Sequence, residues 1–299
     1  MRILLCGASG FIGREIAVAL QRAGHTVLSR SRRSTPPLDF AHATSAAEWA
    51  PHLAGVDAVV NAAGVLRDSA SAPIEAVHAT APVALFEACA SAGVRRVVQI
   101  SALGIDGNDT RYAQTKRAAD AHLLHLTQAG RLDGLVLRPS LVFGVGGASS
   151  RLFHALSHLP WLLLPRPVMQ ARVQPMAVAE LAEAVAALVA TPQQRGLLEL
   201  GGPQALTLAD FIGSLRAQRG DPPARRLALP SWATRLSARI GDHLPGSPWC
   251  RETLALLATD NVAAPATLSA LLGRPATPPG ALLATLAPTH LARPPVTAQ

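Results

Sequence analysis

The chain contains one tyrosine and, among 27 Lys plus Arg residues, one lysine. The two stand four apart, in Tyr112-Ala113-Gln114-Thr115-Lys116. At that spacing both side chains share one face of a helix. An ammonium so close favours the phenolate, so Tyr112 is expected to fall below its ordinary value of about 10 and exchange a proton near neutral pH. Ser101 follows the apolar run Arg96-Val97-Val98-Gln99-Ile100. It is placed to donate a hydrogen bond to a substrate oxygen while Tyr112 gives or takes the proton. The bland reading makes Tyr112 an amphipathic helix residue and Lys116 a surface charge. The depletion of both residue types elsewhere in the chain argues against it.

Positioning such a pair requires a frame, and the first 24 residues supply its beginning. Arg2-Ile3-Leu4-Leu5-Cys6 reads as a buried strand, and Gly7-Ala8-Ser9-Gly10-Phe11-Ile12-Gly13 follows at once. Ile12, Ile16, Ala19, Leu20 and Ala23 then recur at helical spacing, with Gly24 as the stop. In this context the glycines at 7, 10 and 13 serve a tight turn, backbone approach to a pyrophosphate, and close packing of helix on strand. The helix start adds free N–H groups and a positive dipole end. Gly7, Ser9, Gly10, Phe11, Ile12 and Gly13 are therefore the expected phosphate-binding residues of a dinucleotide site.

A second strand, Thr26-Val27-Leu28-Ser29, delivers Arg30-Ser31-Arg32-Arg33 to the end that faces an adenosine ribose. A carboxylate there would select NAD(H). Arg30 and Arg33 suit a 2′-phosphate instead, so NADP(H) is the preferred cofactor and NAD(H) the alternative. Asp57-Ala58-Val59-Val60-Asn61 is a third strand, and Asn61, Ala62, Ala63 and Gly64 form a close-approach turn where an adenine can lie. Helices are predicted over 73–92 and 111–129, with strands over 96–100 and 135–138. This alternation predicts an α/β fold with a Rossmann-type, doubly wound parallel sheet and right-handed crossovers.

From Gly144 the rhythm changes. Residues 1–200 read as the nucleotide-binding domain, with an irregular substrate-side insertion over about 145–172 and a further helix over 178–190. Residues 201–299 read as a smaller, mostly helical substrate lobe. Its proline-rich tail after Arg274 is expected to be poorly ordered. Trp161, Trp232 and Trp249 are expected to pack that lobe.

Composition narrows the class. At 299 residues and 49% hydrophobic the chain has enough apolar material for a core. Cys6, Cys89 and Cys250 lie far apart and read as reduced core thiols of a cytoplasmic protein. No metal site is expected: His122 and His125 lack a third ligand at matched spacing and read as surface residues. The charge of +8 raises nucleic acid as a partner, but the arginines are scattered and aromatics make up only 4%, so none is expected. The apolar stretch Leu159 to Pro165 is too short to span a bilayer, though it could touch a membrane surface or a partner.

Gly7-x-x-Gly10-x-x-Gly13, Ser101, Tyr112-x-x-x-Lys116 and Leu137-Arg138-Pro139-Ser140-Leu141-Val142-Phe143-Gly144 together resemble the short-chain dehydrogenase/reductase superfamily, in its extended or atypical NAD(P)-dependent epimerase/dehydratase branch. His78-Ala79-Thr80-Ala81-Pro82 and Ile100-Ser101-Ala102-Leu103-Gly104 are similar to the atypical group related to the nucleotide-binding accessory subunit of respiratory complex I. The resemblance covers roughly residues 1–215. It implies that Tyr112 is the general acid/base, that Lys116 also bonds the nicotinamide ribose, that Ser101 orients the carbonyl, and that Pro139, Ser140 and Val142 line the nicotinamide. It also implies that the helices over 73–92 and 111–129 pair in a homodimer. His78 and Thr80 stand in the region where the superfamily often has Asn. The 11 positions from Ser101 to Tyr112 are fewer than in typical sugar-nucleotide epimerases. The expected function is NADP(H)-dependent oxidoreduction of a carbonyl or hydroxyl on a small organic substrate. The rival is a non-catalytic NADPH-binding assembly or redox-sensing protein.

Overall fold

Arg2–Cys6 (β1) is buried from Ile3 onward, with Ile3 and Leu5 in one core cluster and Leu4 and Cys6 in another. A strand apolar on both faces needs cover on both, as in a parallel sheet between helical layers. The computed structural model, which describes residues 1–30, 34, 37–244, 249–257 and 259–286, has that architecture. After β1 come Phe11–Arg22 (α1), Thr26–Arg30 (β2), Ala46–Trp49 (α2), Ala58–Asn61 (β3), Ala81–Ala92 (α3), Arg96–Ile100 (β4), Arg111–Gln128 (α4), Asp133–Pro139 (β5) and Val142–Phe143 (β6). Ala148–Ser157 (α5), Trp161–Pro165 (β7), Arg166–Gln170 (α6), Arg172–Val173 (β8), Met176–Ala177 (β9), Val178–Val189 (α7) and Gly196–Leu200 (β10) follow. The chain continues with Leu206–Thr207 (β11), Leu208–Gln218 (α8), Arg225–Leu229 (β12), Ser231–His243 (α9), Arg251–Leu256 (α10) and Ala266–Leu272 (α11).

Six strands form the predicted Rossmann-type parallel sheet in the order β10-β5-β4-β3-β1-β2. The order reverses between β1 and β3, and a crevice at such a reversal is where doubly wound sheets take ligands. The register sets Cys6 opposite both Arg30 and Asn61, and Asn61 opposite Gln99, so the carboxyl ends form one rim. Thr110 caps α4 by accepting the Ala113 N–H at 3.2 Å, which fixes where the helix carrying Tyr112 begins.

The helix expected over 73–92 contains a wide π turn at Ala76–Thr80 before α3. Pro82 explains it. Proline brings no N–H and its ring would crowd the carbonyl four residues earlier, at His78; widening the turn relieves both.

Short two-stranded sheets β6–β9, β7–β12 and β8–β11 pair segments that flank β10 in the chain. Two features differ from the sequence reading. α11 returns to pack beside α7, with Leu268 inside the sheet's core cluster rather than in the lobe. The tail is ordered as far as Leu286: Pro279–Leu286 is a 3-10 helix whose Leu282 is buried with Phe143, Phe211 and Leu215, and Arg274 bridges Glu180 at 2.9 Å and Glu183 at 2.7 Å. Trp161 and Trp232 also depart from expectation, being exposed rather than packed; Trp249 is half-buried and donates to the Ser237 hydroxyl at 3.2 Å.

All three cysteines are buried thiols, and burial pushes Cys89 up to about 12. Among the described residues no helix is long and apolar enough to cross a membrane, and no three His, Cys, Asp or Glu side chains gather as a metal site.

Candidate active site

The glycine loop closes on β3. Gly7 has φ +76°, and a Cβ there would lie 2.7 Å from the backbone of Ala62 and Ala63. A Cβ on Gly13 would lie 2.1 Å from the Gly7 carbonyl oxygen. Gly10 begins α1 in extended conformation with no side-chain cap, so the first-turn N–H groups of Phe11, Ile12 and Gly13 have no partner within the helix. Ser9 and Gly10 are exposed at this end, and the Phe11 ring packs against Gly144 and Gly147. Gly13→Ala is expected to cost about 1–3 kcal/mol by forcing strand and helix apart, with loss of saturable NADPH binding. Thermal denaturation and a fluorescence titration check both.

Along the rim, Arg30 ends β2 with its Nε buried and without a partner among the described residues. Arg33 lies outside the described residues. Asn61 is fully buried: its Nδ2 donates to Gln99 Oε1 at 2.8 Å, and its Oδ1 accepts the Ala63 N–H at 3.1 Å, shaping the Ala62–Gly64 turn. Pro139 ends β5 and Val142 opens β6. Ser140 lies between them; its hydroxyl donates to the Asn261 carbonyl at 2.7 Å and accepts the Gln174 N–H at 3.0 Å, bracing the sheet to the later chain.

Tyr112 and Lys116 lie in the first turns of α4, as the spacing predicts. Lys116 is buried and donates to the Ile100 carbonyl at 3.2 Å. Its ammonium sits over Gly64, 3.4 Å from where a Cβ would be, and the His78 Nε2 is 3.5 Å from the same point. The Tyr112 ring meets the His78 ring edge-on, with centroids 5.1 Å apart. His78 is fixed at both nitrogens. Nε2 accepts the Val65 N–H at 2.9 Å, so Nδ1 carries the proton and faces the Thr115 hydroxyl at 3.3 Å. Burial, then the Lys116 charge, holds His78 down at about 2, so it stays neutral and orders the Gly64–Val65 backbone.

Two expectations are corrected here. Tyr112 does not fall below its ordinary value: burial, then the Asp120 and Glu252 carboxylates, push it up to about 12. Lys116 is drawn down to about 8 by burial, against the opposing charge of Asp120. At neutral pH Tyr112 keeps its proton and Lys116 is largely charged. Ser101, expected to bond a substrate oxygen, here donates its hydroxyl proton to Asp120 Oδ2 at 2.7 Å.

That carboxylate is the residue the sequence reading missed. Asp120 is 1% exposed and also accepts from Arg138 Nε at 3.0 Å, while Arg138 reaches exposed Asp106 at 2.6 Å. Burial pushes its pKa up, against the pull of Ser101, Arg138 and Lys116. The signal was present: Tyr112, Lys116 and Asp120 recur at i, i+4 and i+8 on one helix face.

Two more side chains join the site to the smaller lobe. The Arg67 guanidinium donates to the carbonyls of Gly241, Leu244 and Trp249 at 2.7, 2.9 and 3.1 Å. The backbone N–H groups of Tyr112 and Arg111 stabilise the Glu252 carboxylate at the start of α4. Neither carries a local motif.

Residues 3–194 match the model of the NAD dependent epimerase/dehydratase family. An epimerase family protein of Mycobacterium bovis is 31% identical over 276 residues, covering 78% of this chain and 83% of that protein. A 3-diazoavenalumate denitrifying reductase from a Streptomyces species is 28% identical over 257 residues, covering 76% and 84%. Among solved structures, MoeE5 in complex with UDP-glucose and NAD superposes with a TM-score of 0.70 at 21% identity, over 95% of this chain and 97% of that one. The UDP-glucose 4-epimerase of Thermus thermophilus in complex with NAD gives 0.68 at 20%, over the same 95% and 97%.

Proposed function

As the chain belongs to the NAD dependent epimerase/dehydratase family, we propose that it is an NADP(H)-dependent oxidoreductase acting on the carbonyl or hydroxyl of a small organic substrate. The observation that carries this is Tyr112 and Lys116 on one face of α4, with the Lys116 ammonium against the Ile100 carbonyl and over Gly64 at the carboxyl ends of β3 and β4. A phenol that keeps its proton at neutral pH is a donor, which is what a carbonyl oxygen requires as it becomes an alkoxide.

The chain's own groups fit the cofactor. The uncapped start of α1 and the bare glycine loop suit a pyrophosphate. The buried Nε of Arg30, without a partner among the described residues, suits a 2′-phosphate. When bound, the nicotinamide supplies or receives the hydride. Lys116 holds positive charge beside the reacting oxygen, and Tyr112 delivers the proton to it. Ser101 and Arg138 act indirectly, by fixing Asp120 behind Lys116.

The test is NADPH oxidation over a panel of aldehydes and ketones, alongside titration with NADPH and NADH. Arg30→Asp is expected to weaken NADPH by at least about tenfold, the effect of losing a charge-assisted bond of about 1.5–3 kcal/mol, while NADH affinity holds or improves. An unchanged ratio would remove the case for NADP(H). The internal commitment of the Ser101 hydroxyl favours one rival, a cofactor-bound protein without turnover. Thermal stabilisation by NADPH with no oxidation across the panel would select that rival.

A further inference from the structure

α9 is built inside out. Its buried positions are Thr234, Ala238 and Gly241, whereas Trp232, Leu236 and Ile240 stand 65%, 49% and 53% exposed. A surface helix ordinarily turns its large apolar stripe inward. Here the stripe, at i, i+4 and i+8, faces away from the protein and continues into exposed Leu244. Arg235 and Arg239, also exposed, follow Trp232 and Leu236 by three residues each and so flank the stripe. The strands before it share the character: β12 exposes Leu227, its neighbour β7 exposes Trp161 and Leu163, and the Arg225 guanidinium lies 4.8 Å over Trp161.

Charge names the occupant. Between residues 225 and 244 the single acidic side chain is Asp242, and Arg251 engages its carboxylate. What the segment offers outward is Trp, Leu and Ile interleaved with guanidinium groups. Tryptophan suits the boundary between headgroups and acyl chains, and arginine suits anionic headgroups. A second copy docked by a two-fold axis would instead set Arg235 and Arg239 against their own charges. We propose that this face docks on an anionic phospholipid bilayer surface, with α9 lying in the interfacial plane.

Cosedimentation of the full chain with vesicles tests this, comparing phosphatidylcholine alone with phosphatidylcholine mixed with phosphatidylglycerol. The expected result is binding to the mixed vesicles, weakened by salt, with tryptophan emission shifting to the blue. Neutralising both guanidinium groups, Arg235→Gln with Arg239→Gln, should weaken binding about 30-fold, at roughly a factor of five per charge near an anionic surface. Trp232→Ser with Ile240→Ser should abolish the emission shift. All four positions face outward, so the thermal midpoint and NADPH titration should stay at wild-type values and serve as folding controls. No cosedimentation with the mixed vesicles overturns the proposal. So does light scattering at twice the monomer mass that Leu236→Ser returns to monomer, which would give the face to a second copy.

Discussion

Tyr112→Phe is expected to lower NADPH-dependent carbonyl reduction by about 10²–10⁴-fold, the usual worth of a positioned proton donor, while NADPH affinity stays near wild type. The phenyl ring keeps its edge-on contact with His78, so the variant removes the proton and little of the packing. Stopped-flow or steady-state oxidation with a parallel fluorescence titration separates the two effects; equal turnover in mutant and wild type would falsify the assignment. Wild-type kcat carries a second signature. Lys116 is charged below about 8 and loses its proton as pH rises through that value. The rate should therefore fall on the alkaline side well before the phenol, near 12, begins to ionise.

Asp120→Ala is the substitution with the largest expected cost in stability. It strips the Arg138 guanidinium of its buried partner and leaves the Ser101 hydroxyl without its acceptor. Removing one member of a buried ion pair costs about 3–5 kcal/mol, because the other charge stays desolvated. Asp120→Asn keeps the volume and one acceptor oxygen and should cost less. Denaturant unfolding measures both, and a loss under about 1 kcal/mol for the alanine variant would mean that Asp106 alone satisfies Arg138. Any folded Asp120 variant should also shift the alkaline limb to lower pH, since Asp120 is the charge that holds the Lys116 proton. The sign is fixed: less opposing charge means an earlier loss of the ammonium.

What was legible in the sequence was local. Gly7, Gly10 and Gly13 lie within one turn, and Tyr112 and Lys116 within one helix, so spacing alone brings them together. The strands of the sheet announce themselves by apolar runs and glycine stops. Residues joined through the fold were not legible in the same way. Glu252 lies 140 positions after Tyr112 yet reaches the start of α4, and with Asp120 it adds to the burial that pushes the tyrosine up. The Ser101 hydroxyl looked available because a hydroxyl's partners cannot be read from its neighbours in the chain. Trp232 looked like core because an amphipathic pattern states that a helix has two faces, not which one meets the protein.

The Arg67 clamp has a mechanical consequence. One guanidinium, three residues beyond the turn at Gly64, pins the carbonyls where α9 ends. Loop and lobe are thereby welded into a single lever. A nucleotide settling over Gly64 is therefore expected to steady the end of α9 as well as the loop, through that one side chain.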